Sequence, residues 1–254
     1  MNNISPYHIK LKQKDIGEFI LLTGDPNRTE IIARMFDSYT EVTDNREFKG
    51  YTGYITGYDG EKIKITTIST GIGSPAAAIC VEELINIGGK VFIRIGTAGS
   101  LQPNIKVGDI VISTGSVREE GTSKQYIPEI YPAVADFQVV NALIEAAKKL
   151  KIRYHVGITH SKDAFYSELP GITPIKELNE QKWKFWQRSN VLATDMETSV
   201  LFVIGSIRKV YMGSIVKIVG NTYSKKPIIK SLNMEDVIKV AIESIKILKK
   251  VLQL

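Results

Sequence analysis

A short apolar run that carries a single arginine constrains this chain more than any other segment. The run spans Lys90 to Gln102 and changes abruptly into the small residues of Gly96 to Ser100, which predicts a buried strand ending in a tight loop. Arg94 lies inside the strand, where a guanidinium is costly unless an anion or a carboxylate meets it. Two interpretations follow: a core ion pair, or an anion site formed by Arg94, the Thr97 hydroxyl and exposed backbone amides.

The remaining segments alternate between strand and helix character and predict an α/β fold. Polar and apolar residues alternate over 51–58 and 62–68, as they do in half-exposed antiparallel strands. Amphipathic helical spacing recurs at 137–150 and 234–252. We therefore predict strands alternating with helices around a mixed sheet. Ligands bind at the carboxyl ends of strands in open α/β sheets, so the loop after the Arg94 strand is a candidate site.

Composition narrows the class of protein. A chain of 254 residues with 43% hydrophobic content can bury a proper core, and we expect one domain over residues 1–254. The net charge of +6 comes from dispersed lysines, which argues against nucleic acid and favours attraction of a small anionic substrate. No apolar run reaches 18 residues, so we expect no membrane partner. The single cysteine, Cys80, excludes an internal disulfide and fits the reducing cytoplasm.

Two further loops carry arginines. Arg28 follows a strand and the sequence Gly24-Asp25-Pro26-Asn27, so it begins a helix whose free amides bind anions; a helix-surface arginine is the alternative. Arg46 lies between predicted antiparallel strands at 39–42 and 51–58, where a surface ion pair with Glu47 is the default interpretation. Arg28 is therefore a candidate second contact for the anion that Arg94 would bind.

Two carboxylates and a long excursion complete the candidate features. Asp195-Met196-Glu197 opens a helix, where the carboxylates either satisfy the helix dipole or accept hydrogen bonds from sugar hydroxyls. The segment 160–188 is long enough to be a lid or binding loop, with a short helix predicted around 180–187. We expect its two tryptophans, Trp183 and Trp186, to pack in the core.

Five stretches, in this order and spacing, resemble the nucleoside phosphorylases of the purine nucleoside and uridine phosphorylase family over essentially the whole chain. They are Gly24–Arg28, Asn45–Phe48, Ser69–Gly73, Arg94–Pro103 and Asp195–Glu197. The resemblance implies a single-domain three-layer αβα fold with a central mixed, partly barrel-like β-sheet flanked by helices. It also implies reversible phosphorolysis, in which inorganic phosphate attacks C1′ of a nucleoside to give ribose 1-phosphate and a free base.

The resemblance also implies the roles of individual residues. Phosphate would be held by Gly24, Arg28, Arg46, Arg94 and Thr97; ribose by His8, Met196 and Glu197; and the base by Ala98, Gly99, Phe165 and Asn221. Catalysis would rest on Arg94, Glu197 and Arg28, with inorganic phosphate as co-substrate and neither a cofactor nor a metal. His8 and Arg46 would reach a neighbouring subunit, which implies a homo-oligomer with shared active sites, expected to be a hexamer built as three dimers.

The identity of the base stays open. Purine-specific relatives place an aspartate after the last strand, where this chain has Asn221, and an asparagine is not a general acid. Uridine phosphorylases carry asparagine there and a longer insert, similar to 165–194, but they read uracil with a glutamine and an arginine where this chain has Glu168 to Gly171. We rank uridine first and a 6-oxopurine nucleoside second. A nucleosidase or a non-catalytic binding module would leave three arginines unexplained.

Overall fold

The structure, a computed structural model, describes residues 6–168, 173–221 and 233–254. Ten strands and seven α-helices lie within these ranges. In chain order they are β1 (Phe19–Thr23), α1 (Pro26–Ala33), β2 (Ser38–Asn45), β3 (Phe48–Thr56), β4 (Lys62–Ser69), α2 (Ser74–Asn86), β5 (Val91–Ser100), β6 (Ile110–Arg118), α3 (Thr122–Tyr126), β7 (Ala133–Val134), α4 (Phe137–Lys149), β8 (Tyr154–Ser161), α5 (Lys176–Arg188), β9 (Ala193–Asp195), α6 (Thr198–Arg208), β10 (Tyr211–Asn221) and α7 (Glu235–Leu252).

All ten strands belong to one mixed sheet. Its order is β10-β6-β8-β9-β5-β1-β4-β3-β2, with β7 paired to β6. Strand β10 also pairs with β5, and this second pairing closes β5, β10, β6, β8 and β9 into a five-stranded barrel. The predicted mixed, partly barrel-like sheet is therefore confirmed.

Helices cover both faces of the sheet, and the alternation of side chains along β1 shows how. Phe19 and Leu21 pack in a core with residues of α1, α4 and α7, whereas Ile20 and Leu22 pack with residues of α2 and α6. Successive strand residues point to opposite faces, so a strand buried on both sides is apolar throughout. The three-layer αβα arrangement is confirmed.

The parallel strands place several loops at one edge of the sheet. Strand β1 is parallel to β4 and β5, and β10 is parallel to β5, so the carboxyl ends of all four lie together. The loops after β1 and β4 are joined where the Thr70 amide donates to the Thr23 carbonyl at 2.8 Å. Asn221, the last residue of β10, pairs in register with Ser100, the last residue of β5. The loops predicted to bind ligand therefore converge.

One predicted helix is longer than expected. The sequence predicted a short helix at 180–187, but α5 spans Lys176–Arg188. Across the residues that the structure describes, there is no helix with both the length and the apolar character needed to cross a membrane.

Candidate active site

Arg94 is the centre of the candidate site, and it is almost fully buried, with 4% of its surface exposed. Its Nε donates to Oδ2 of Asp195 at 3.0 Å, and its Nη2 lies 2.5 Å from Oε2 of Glu197. The side chain folds back along β5 over Gly96, where a Cβ atom would lie only 2.8 Å from the Arg94 Cζ. The ion pair predicted as one interpretation of Arg94 is therefore present, and it joins the two carboxylates of the helix start.

The charges of this cluster favour a permanently cationic arginine. Burial alone would lower the pKa of Arg94, but the neighbouring charges of Glu197 and Asp195 raise it above its usual value. Burial raises the pKa of Glu197, and the charge of Asp195 adds to this effect, while Arg94 opposes it. A buried carboxylate of this kind stays ionised only through its cation and its hydrogen bonds.

Asp195 serves the protein's own structure. Its carboxylate accepts from the Ser161 hydroxyl at 2.7 Å and from Arg94, and it also accepts from the backbone amide of Thr198 at 3.2 Å and from the Thr198 hydroxyl. Both oxygens are thus occupied by groups of this chain. Asp195 positions Arg94 and begins α6 by satisfying its free amides.

Glu197 keeps accepting capacity for a ligand. Its Oε1 accepts from the Gly73 amide at 2.7 Å and its Oε2 contacts Arg94, and a hydrogen bond from the Met196 amide also lowers its pKa. Since a carboxylate can accept about four hydrogen bonds, Glu197 keeps accepting positions. Gly73 has φ of 91°, a conformation that favours glycine, and this turns its amide toward Glu197. The Ser74 hydroxyl donates to the Met196 carbonyl at 2.8 Å, which joins the starts of α2 and α6.

Arg28 lies at the same edge of the sheet. Helix α1 begins there because Asp25 caps it, accepting from the Asn27 amide at 2.9 Å, and Pro26 occupies its first turn. Arg28 Nη1 donates to the Thr23 hydroxyl at 3.1 Å. Burial lowers the pKa of Arg28, and the charge of Arg94 lowers it further. Two guanidiniums close enough to repel each other favour an anion between them.

The predicted base-binding residues Ala98 and Gly99 follow the predicted phosphate-binding Thr97 on β5, close after Arg94. Thr97 and Gly99 are half-buried and Ala98 is buried, and Gly99 pairs in register with Gly220 of β10 and Thr194 of β9. Phe165 is 46% exposed and contacts the Tyr166 ring edge to face. The side chain of Glu168, and residues 169–171 and 222, lie outside the described residues.

His8 and Arg46 lie beside the tip of the β2–β3 hairpin, which the Ser69 hydroxyl at the end of β4 joins by donating to the Glu47 carbonyl at 2.5 Å. The Glu83 carboxylate accepts from the His8 ring at 2.7 Å and from the amides of residues 7–9, and Asn45 Nδ2 donates to the His8 carbonyl at 2.6 Å. Arg46 is exposed at the tip of the β2–β3 hairpin with φ of 57°. The expected surface ion pair with Glu47 is absent among the described residues. Neither His8 nor Arg46 contacts Arg94 within one chain.

A cavity that sequence reasoning missed lies beside the barrel, with a volume of about 220 Å³. His160 of β8 is one of its buried polar residues: the Nε2 of His160 lies 2.6 Å from Oε2 of Glu119 and its Nδ1 lies 3.0 Å from Oγ1 of Thr194. The His160 hydrogen bond, helped by Lys182, lowers the pKa of Glu119 to about 2. The sequence signal available for this cavity was the pair His160 and Lys162, which flank Ser161 at the end of β8.

The two tryptophans of α5 form a wall of this cavity. Their rings contact the His160 ring at centroid distances of 5.4 Å for Trp183 and 5.6 Å for Trp186. Both are half-buried, and α5 contains no fully buried residue. The expectation that they pack in the core is therefore wrong, because α5 lies on the surface and uses its aromatic face to cover a polar cavity. The expected lid or binding role of the 160–188 segment stays a prediction.

Comparison with known proteins gives consistent results. A family model described as the phosphorylase superfamily matches residues 18–253. A uridine phosphorylase of Treponema pallidum is 42% identical, covering 95% of this chain and 93% of that protein. A uridine phosphorylase of Thermococcus kodakarensis is 38% identical, covering 95% and 86%. A guanosine phosphorylase of Halorubrum lacusprofundi is also 38% identical, covering 84% and 83%.

Proposed function

Because the chain belongs to the phosphorylase superfamily, we propose that it is a nucleoside phosphorylase acting on uridine. An oxygen of inorganic phosphate forms a bond to C1′ while the N-glycosidic bond breaks, and the bonding electrons leave with the base. The products are ribose 1-phosphate and uracil. The similarity to uridine phosphorylases over nearly the full chain supports this substrate.

The observation that carries this proposal is the convergence of Arg94, Arg28 and Glu197 at one edge of the sheet. Phosphate accepts charge-assisted, bidentate hydrogen bonds from guanidinium groups, and the two arginines here are near enough for the charge of one to lower the pKa of the other. Gly24 and Thr97, at the same edge, would add an amide and a hydroxyl. Phosphate bound there would lie beside the carboxylate of Glu197.

Glu197 would orient the ribose. Its free accepting positions suit the 2′ and 3′ hydroxyls, with Met196 against the sugar, and orientation of this kind lowers the entropic part of the barrier. Positive charge develops on the ribose in the transition state, and the ionised Glu197 and the phosphate would stabilise it electrostatically. These residues form no covalent intermediate.

A second candidate substrate is a 6-oxopurine nucleoside. The guanosine phosphorylase among the similar proteins supports it. Against it stands Asn221 at the end of β10, beside Ser100 of β5, because an asparagine cannot donate a proton to N7 of a departing purine. We therefore keep uridine first.

The assembly we propose is a homo-oligomer, a hexamer of three dimers, working in the cytoplasm. Its support is the position of His8 and Arg46 beside the tip of the β2–β3 hairpin, where neither side chain contacts Arg94 of its own chain. In a dimer they would complete the phosphate and ribose sites of the partner. Light scattering on the active enzyme tests this: a mass equal to the 28.3 kDa of one chain would refute it.

The test of function is release of free base from uridine, inosine, guanosine, cytidine and adenosine, each with and without phosphate. Uracil released only in the presence of phosphate is the expected result. Guanine or hypoxanthine released faster than uracil would support the second candidate. Cleavage that does not need phosphate would refute phosphorolysis.

A further inference from the structure

Building on the proposed phosphorolysis, we propose that Lys162 recognises a carbonyl oxygen of the base and so selects oxo bases over amino bases. The residues that carry this role lie in the cavity beside the barrel, next to the candidate ribose site. No such role was indicated for Lys162 by the sequence motifs.

Lys162 is tied directly to the candidate site through its backbone. It follows Ser161, whose hydroxyl donates to Asp195, and its own amide donates to the Asp195 carbonyl at 3.2 Å. Its side chain is buried, with 7% of the residue exposed. The Lys162 Nζ lies 4.9 Å from the centre of the Trp183 ring and 5.9 Å from that of Phe165. The ammonium group is thus held between two aromatic faces.

The cavity has the size and lining that suit one flat ring system. Its volume of about 220 Å³ is below the roughly 300–1,000 Å³ of sites for drug-sized ligands, so it suits a base rather than a whole nucleoside. The cavity residue His160 contacts Thr194, which pairs with Gly99 of β5. A base entering this cavity would therefore remain next to the residues that were predicted to contact it.

The chemistry of an ammonium group gives the selectivity. A protonated lysine has three donors and no acceptor, so besides the contacts it makes within the protein it can donate to a carbonyl oxygen of uracil or of a 6-oxopurine. Cytosine and adenine carry an amino group in place of this oxygen. The amino group and the Lys162 ammonium are both hydrogen-bond donors, and a buried polar site strongly rejects a base that places donor against donor. Burial lowers the pKa of Lys162 to about 8, so most of it is protonated at pH 7. Negative charge developing on the departing base would strengthen this contact.

Two lysines whose ammonium groups lie against aromatic rings allow a matched comparison. Lys162→Met removes the buried ammonium of the cavity at nearly constant length. Lys149→Met removes an ammonium outside the cavity that lies 4.1 Å from the centre of the Tyr58 ring, on a side chain that is 56% exposed and paired with Glu243. We expect Lys162→Met to lower kcat/KM for uridine by about 10- to 100-fold, with an unchanged KM for phosphate and loss of discrimination against cytidine. Lys149→Met should stay within about threefold of the wild type on all three measures.

Calorimetric binding of uracil and cytosine separates this inference from the proposed function. The wild type should prefer uracil, and Lys162→Met and Lys162→Gln should lose the preference while Lys149→Met keeps it. Uracil preference in the wild type without phosphorolysis would refute the proposed function and leave the role of Lys162 supported. A Lys162→Met protein that still prefers uracil, or a wild type without preference, would overturn the inference.

Discussion

Replacing Gly96 with alanine tests whether the position of the Arg94 guanidinium, and not only its charge, sets the rate of phosphorolysis. The new Cβ would lie 2.8 Å from Cζ and Nη2 of Arg94 and 3.1 Å from its Nε. Ordinary contact begins at 3.4 Å, so the guanidinium has to move by about 0.6 Å in a densely packed interior. Its two carboxylate contacts, to Asp195 and Glu197, hold it in place and oppose that movement.

The expected loss follows from this displacement. A misplacement of about 1 Å can cost roughly 10²-fold in rate, so we expect Gly96→Ala to lower kcat/KM for uridine by about 10- to 100-fold, with a higher KM for phosphate. Overpacking should also lower the free energy of unfolding by about 1–3 kcal/mol. Both are measurable by steady-state kinetics at varied phosphate and by urea unfolding.

Gly121→Ala is the matched control. Gly121 has φ of −87°, which alanine adopts freely, and a Cβ there would meet Oδ2 of Asp163 at an ordinary 3.6 Å. This variant should keep the wild-type kinetics. A Gly96→Ala enzyme that matches it in phosphate KM and in kcat would refute the reasoning, because the guanidinium position would then not matter.

Three further predictions concern charged groups. Arg94→Met should abolish most turnover and lower the free energy of unfolding by about 3–5 kcal/mol, because it leaves two buried carboxylates without their cation; a stability within 1 kcal/mol of wild type by urea unfolding would contradict this. Glu119 has a pKa lowered to about 2 from 4.5, so its stabilisation is present above pH 4.5 and lost as the pH falls toward 2. Glu119→Gln should therefore lower the free energy of unfolding by about 1–2 kcal/mol at pH 7 and by less at pH 3, and an equal deficit at both would be inconsistent with that pKa. Co-expressing Arg46→Ala with Arg94→Met, each nearly inactive alone, should restore up to about one quarter of wild-type activity, since half of randomly formed dimers contain one intact site; no recovery in a purified hybrid would argue against shared sites.

The alternation of strands and helices around a mixed sheet followed from local patterns, and the three layers and the closure of the barrel did not. The run from Phe19 to Leu22 is apolar throughout, and because side chains alternate strictly along a strand, such a run fits a strand buried on both faces. Barrel closure depends on β10 pairing with both β5 and β6, partners more than a hundred residues earlier in the chain that no local pattern specifies. The family motifs, rather than periodicity, implied a barrel-like sheet.

Sequence located the candidate site but not the use of each side chain. The family motifs brought Arg94 and Glu197 together correctly, whereas the commitment of both Asp195 oxygens to groups of this chain became visible only in three dimensions. Trp183 and Trp186 were expected in the core because aromatic residues usually bury their large surfaces. Their half-exposed position depends on where α5 docks, and helical spacing alone does not determine that. The individual binding roles stay predictions.

Helix α2 connects two places that the proposed assembly assigns to different active sites. Gly73, just before its first turn, donates to Glu197 of its own chain, and Glu83, about 15 Å further along the helix, holds His8. Helix α2, with 13 residues, is short enough to move as one rigid element. If His8 reaches the partner's ribose, any shift of Glu197 on substrate binding is transmitted along α2 to the other site, and the two halves of a dimer would work as mechanically coupled sites with cooperative kinetics.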